Sequence, residues 1–241
     1  MSQAHKGSRL LIKDAIYAVP YESAHFNFNE DFYGFQYGDI IKPVVTPVAT
    51  LVDGKFGKAV SLQEATASSL YYPASILNKH QGAVSCWMYN PSGVSVDYFR
   101  RIVSFVGSTA NESGDSDINF DIYNNKTRFR TLVGGNEALM VSSTTLLVDA
   151  WNHLALSWGP NGYRLFVNGV VTANPAYTGG ISSVNSNISI GKNNDSNQSF
   201  LNGLLEDLRF DKVQPSDEEI MAWYYSNAPF YNPYDYRAYA Y

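Results

Sequence analysis

The residues with the most chemistry within reach are acids that alternate along one run, Gly114-Asp115-Ser116-Asp117-Ile118-Asn119-Phe120-Asp121. In an extended strand, side chains two apart share a face, and two carboxylates flanking a sugar are the machinery of glycoside hydrolysis. This run holds no Glu, however, and the amide of Asn119 interrupts it, so hydrolysis is the least supported reading. Acyl transfer has no better footing. There is no G-x-S-x-G elbow, and His5, His25, His80 and His153 sit near no obvious nucleophile. Phosphate loops, dinucleotide loops and H-E-x-x-H are also missing from the sequence. The chain reads as a non-enzyme.

Binding chemistry is better represented. Residues 192–199 read Lys-Asn-Asn-Asp-Ser-Asn-Gln-Ser, and Asn193, Asn194, Asp195 and Asn197 are the candidate ligands there. Amides and a carboxylate bind sugar hydroxyls in pairs, or supply the oxygens that Ca²⁺ prefers. An ordinary solvated loop would have the same composition. Residues 111–117, with Asn124-Asn125, form a second loop of this kind. Among the tyrosines that could stack on a sugar face, Tyr98 and Tyr123 each adjoin a polar loop and are preferred over Tyr89 and Tyr177.

The elements that must position these residues are strands. Helical periodicity is almost absent, and short β-type runs recur, each closed by Gly, Asn, Asp, Ser or Pro. The pattern predicts strands near 59–63, 83–89, 101–106, 118–123, 128–133, 139–143, 153–158, 163–167, 187–190 and 204–210. Without βαβ alternation, this is an antiparallel sandwich or barrel. Asn168-Gly169 and Asn161-Gly162 are hairpin signals, because such turns need positive φ. One helix is predicted from a capping box, Ser216 with Glu219, followed by Ile220, Trp223 and Tyr224 on one face. Trp87 and Trp151 are expected in the core, and His153 as a structural histidine.

Composition agrees with a β protein: 15% of residues are aromatic, with 18 Tyr and 13 Phe. A net charge of −5 and the lack of a basic cluster argue against nucleic acid. Arg100-Arg101 and residues 126–130 read as solvated strand faces. No apolar stretch is long enough for a membrane-spanning helix. Cys86 is the single cysteine and is expected to be buried and inert, which excludes an internal disulfide.

Five motifs then fall in order: Gly54-Lys55-Phe56-Gly57-Lys58-Ala59, Trp151-Asn152-His153, Tyr163 to Gly169, Ile190-Gly191, and Gly203-Leu204-Leu205-Glu206-Asp207-Leu208-Arg209. Together they resemble the laminin-G-like, or concanavalin A-like lectin/glucanase, superfamily over roughly residues 26–226. The resemblance implies a jelly roll of two antiparallel sheets used for carbohydrate or protein recognition. It also implies that an acidic position, here Glu206 or Asp207, helps hold a structural calcium ion. The order Glu then Asp reverses the family's usual pair.

The ends differ from the middle. Residues 1–25 read as an N-terminal arm, 26–226 as the domain and 227–241 as a Tyr-rich C-terminal arm. Phe230, Tyr231, Tyr234 and Tyr236 are the candidates there for holding a neighbouring subunit. A polar start, Met1 to Arg9, followed by an apolar piece broken by Lys13 and Asp14, predicts no signal peptide. A recognition jelly roll without leader or disulfide resembles phage tail, fibre or capsid-decoration proteins. That setting implies a virion location, with a cytoplasmic protein as the alternative. Its partners would be other virion proteins, further copies of the chain and host-surface glycan. A purely structural decoration or assembly module is the alternative function.

Overall fold

The computed structural model describes residues 9–12, 15–18, 23–29, 31–36, 39–44, 48–106, 118–133, 136–174, 177–194 and 198–225. In chain order the strands are β1 (Arg9–Ile12), β2 (Ala15–Ala18), β3 (Ser23–Phe26), β4 (Gly34–Gln36), β5 (Asp39–Ile41), β6 (Thr50–Asp53) and β7 (Lys58–Leu62). There follow β8 (Leu70–Pro73), β9 (Gly82–Asn90), β10 (Arg100–Val106), β11 (Ile118–Tyr123), β12 (Lys126–Val133) and β13 (Asn136–Val141). The last are β14 (Ala150–Trp158), β15 (Tyr163–Val167), β16 (Val170–Asn174), β17 (Asn187–Ile190) and β18 (Gly203–Asp211), before helix α1 (Asp217–Tyr225).

Two large antiparallel sheets carry the fold. One runs β13-β12-β11-β10-β17-β8, the other β16-β15-β14-β9-β18-β3-β4-β5. The nine residues of β18 let its first half pair with β7 and its second half with β3, while β9 lies along its other side. The two-residue alternation of a strand then sorts the side chains. Val84, Cys86 and Met88 of β9 and Leu154, Leu156 and Trp158 of β14 join the inter-sheet core, with Phe120 and Ile122 of β11 from the facing sheet. Each such side chain contributes roughly 1.5–3 kcal/mol by leaving water.

The turns follow their chemistry. Asn168 (φ 50) and Gly169 (φ 79) close the β15–β16 hairpin, and Asn124 (φ 51) and Asn125 (φ 53) close β11–β12. Gly169 is doubly constrained, since an added Cβ would lie 2.9 Å from the Tyr224 ring. The capping box forms as the sequence indicates: Ser216 N donates to Glu219 Oε2 at 2.8 Å and Glu219 N to Ser216 Oγ at 3.2 Å. Ile220 and Trp223 pack with Ala155 and Phe166 on the outer face of the larger sheet.

Several expectations are corrected. The tryptophan between the two sheets is Trp158, fully buried, with its Nε1 donating to the Asn78 carbonyl at 3.0 Å. Trp87 is buried as expected, but on the outer face of the larger sheet, against Phe56, His153 and Tyr224. Trp151 is only half-buried, edge-on to Tyr89. Arg100 and Arg101 are each 2% exposed rather than solvated. Ser23, Ala24 and His25, expected in the N-terminal arm, are buried in β3, which pairs with β18 in the larger sheet. Strands β1 and β2 pair with each other as a separate two-stranded sheet. Phe230, Tyr231, Tyr234 and Tyr236 lie outside the described residues.

Candidate ligand-binding cleft

At one end of the sandwich, β7, β9 and β11 finish while β10, β12, β14 and β18 start. The 91–99 loop, the turn Glu64–Thr66 and Asn202 surround a cleft there of about 520 Å³. Gln63, Glu64, Gly93, Val94, Ser95, Tyr98, Arg100 and Asn202 line it. Asn202, held at φ 50, ties two walls together: its Oδ1 accepts from Glu64 N at 2.8 Å and its Nδ2 donates to Glu64 Oε2 at 3.5 Å. The 91–99 loop is pinned by Ser92 N donating to Asp149 Oδ1 at 2.8 Å.

Arg100 stands at the base of this cleft. Its two terminal nitrogens donate to Asn90 Oδ1 (2.8 Å) and Asn125 Oδ1 (3.2 Å), and its buried Nε has no hydrogen-bond partner. Burial lowers its pKa to about 10, so it remains a cation at neutral pH. Tyr98, 37% exposed, adds a ring beside it. The arrangement offers donors, acceptors and one accessible aromatic face in a single concavity, as small-molecule sites do.

The other residues singled out from sequence are not gathered here. Tyr123 packs 4.9 Å from Phe99, with the Arg128 guanidinium 5.2 Å from its ring. Asn193 and Asn194 shape the loop after β17. Asn194 N donates to Ser104 Oγ at 3.2 Å and its Nδ2 to the Asn187 carbonyl at 2.7 Å, and Asn193 is buried. Asp195 and Asn197 lie outside the described residues, as do Asp115 and Asp117. Asp121 is fully buried between Arg101 and Arg128, the latter at 2.9 Å, which commits it to an ion-pair network.

The acidic pair, Glu206 and Asp207, is engaged by protein partners. Glu206 accepts the backbone N–H of Lys55 at 2.5 Å and of Phe56 at 3.0 Å, so its oxygens face donors. Gly54 permits this approach, since a Cβ there would lie 2.5 Å from Glu206 Oε2. The Gly54-Lys55-Phe56-Gly57 and Glu206-Asp207 motifs, far apart in sequence, are thus two halves of one contact. Burial nonetheless raises the Glu206 pKa, partly offset by those backbone bonds. Asp207, at φ 53 in a bulge of β18, is bonded to His25 Nε2. Among the described residues no group of three or more His, Cys, Asp or Glu side chains could hold a metal ion.

Two facing antiparallel sheets, one helix on the outer face and a polar cleft at one end define a lectin-like sandwich. The chain belongs to the concanavalin A-like lectin/glucanases superfamily, whose family model matches residues 64–221. Solved structures agree on the fold. The binding domain of Paraclostridial Mosquitocidal Protein 1 is similar at a TM-score of 0.58 and 16% identity, over 86% of this chain and 52% of that one. The botulinum neurotoxin serotype G binding domain gives 0.62 and 12%, over 84% and 50%. Domain 4 of a GH43 extracellular arabinanase from Geobacillus stearothermophilus, in complex with arabinotriose, gives 0.55 and 19%, over 82% and 95%. The chain spans about half the length of the toxin binding domains it matches. A search of curated protein sequences gives no match.

Proposed function

We propose that this domain is a non-catalytic carbohydrate-binding module and that the cleft at the β9–β10 end is its saccharide site. The observation that carries the reading is the lining itself. One accessible tyrosine ring stands among a guanidinium, two amides, a carboxylate and a hydroxyl, in a cavity of about 520 Å³. The electron-rich ring face suits sugar C–H groups, and the polar groups suit paired hydroxyls. Glu64 is the only carboxylate in that lining, whereas hydrolysis by the usual route needs two across the scissile bond. The names of the similar structures, two toxin binding domains and an arabinanase domain with arabinotriose, support recognition over catalysis.

The test is a glycan array followed by calorimetry on the best ligand. Tyr98→Ala should weaken binding by about tenfold, the scale of truncating an aromatic anchor. An array without signal from a folded protein would sink the reading.

A second reading, assembly through the sandwich edge, rests on a separate feature. Among the described residues, strands β13 and β16 each pair on one side only, and Ser143, just after β13, donates its N–H to Thr172 Oγ1 of β16 at 2.8 Å. Leu139, Val141, Val170 and Val171 are exposed along them. Open strand edges with aliphatic side chains invite pairing with a second copy. Display on a virion, with the Tyr-rich end holding neighbours, is the setting in which several clefts would act together. Sedimentation of the full chain beside a Val141→Lys/Val170→Lys variant tests this: a monomer in both rejects edge assembly.

A further inference from the structure

We infer that the cleft selects saccharides bearing an anionic group, a carboxylate or a sulfate, and that Arg100 is the residue that reads it. This deepens, and rests on, the assignment of the cleft as a saccharide site. The support is a contrast among the arginines whose side chains are described. Arg101 and Arg128 share Asp121, Arg130 pairs with Glu137 at 2.8 Å, Arg164 with Asp217 at 2.9 Å, and Arg209 with Asp211 at 2.7 Å. Arg100 alone of these six has no carboxylate.

Its two acceptors are the neutral amides of Asn90 and Asn125, and its buried Nε has no partner. A guanidinium only 2% exposed, held in place by two side chains that bring no charge, is oriented without being neutralised. Such a group is costly to bury unless an anion completes it, and the planar fork suits carboxylate or sulfate oxygens. Glu64, the one carboxylate in the lining, is exposed and bonded to Asn202 instead. The sugar ring would then lie beside Tyr98, with hydroxyls within reach of Gln63 and Asn202.

The experiment titrates the full chain with matched oligosaccharides, galacturonate and galactose of the same linkage and length, with sulfated galactose and inorganic sulfate as further arms. An acidic sugar should bind more tightly than its neutral match, and Arg100→Gln should remove about ten- to a hundredfold of that affinity, the scale of a charge-assisted hydrogen bond. Glu64→Gln, at an exposed position, should tighten the acidic ligand by up to about fivefold by removing a like charge. That variant keeps the test open if Arg100→Gln fails to fold. Equal binding of acidic and neutral sugars, indifferent to both variants, overturns the inference and leaves the saccharide site standing. Inorganic sulfate binding as tightly as the acidic sugars also overturns it, since the sugar would then add nothing. Binding of none by the folded protein overturns both.

Discussion

At the scale of single residues, His153 shows how burial sets behaviour. It is 3% exposed, its ring lies 5.3 Å from that of Trp87, and its Nδ1 has no hydrogen-bond partner. Burial pulls its pKa from 6.5 to about 4, with the Asp207 charge opposing only in part. An unfolded chain therefore takes up a proton between those values that the folded chain refuses. Stability should fall as pH drops from about 6.5 towards 4, by on the order of 3 kcal/mol across the full shift. Glu206, whose pKa is raised, works in the opposite direction over the carboxylate range. Urea midpoints of the wild type and His153→Gln across this window check the claim. The variant should show the flatter profile, and equal slopes would assign the acid sensitivity elsewhere. The Cys86 thiol, fully buried with its pKa raised by burial, is inert for the same reason.

At the scale of elements, helix α1 covers charge as well as apolar surface. The Trp223 ring lies 4.1 Å from the Arg209 guanidinium, which pairs with Asp211 and donates to Ser23 Oγ at 3.2 Å. Ser216→Ala should cost about 1 kcal/mol by removing the cap. In a domain this size that is about 3 °C of melting temperature. Ser216→Asp should keep most of it, and equal melting of the two variants would mean the box contributes little. The cap, the Asn-Gly hairpin and ten of the strands are legible in the sequence because their signals are local. Strand β3 is not. Its Ser23 and His25 look solvent-facing, yet they meet Asp211 and Asp207 on a covered face. Little of the cleft is legible: Tyr98 beside a polar loop is visible, but Gln63, Glu64, Arg100 and Asn202 come from separate segments and carry no shared spacing. Arg100 in particular reads as a solvated strand residue until Asn90 and Asn125 are seen to hold it.

At the scale of the whole molecule, the domain boundary makes the sharpest prediction. A chain starting at residue 23 keeps β3 and should unfold in one cooperative transition. One starting at residue 27 leaves the second half of β18 unpaired on the side away from β9 and should lose cooperativity or fail to fold, as followed by circular dichroism on heating. Similar melting of the two would show that β3 is dispensable and support a boundary at 26. The pairing of β18 has one more consequence, which concerns time. Its contacts with β3 close loops of more than 180 residues, as between Asp207 and His25 or Asp211 and Ser23. Closures that long are slow, because the chain entropy is lost before the contact rewards it. On the ribosome, the larger sheet has an empty slot at its centre until residue 211 has emerged. A chain that stops after residue 202 lacks the strand that joins β9 to β3 and β7, so it should present unpaired strand edges that favour aggregation.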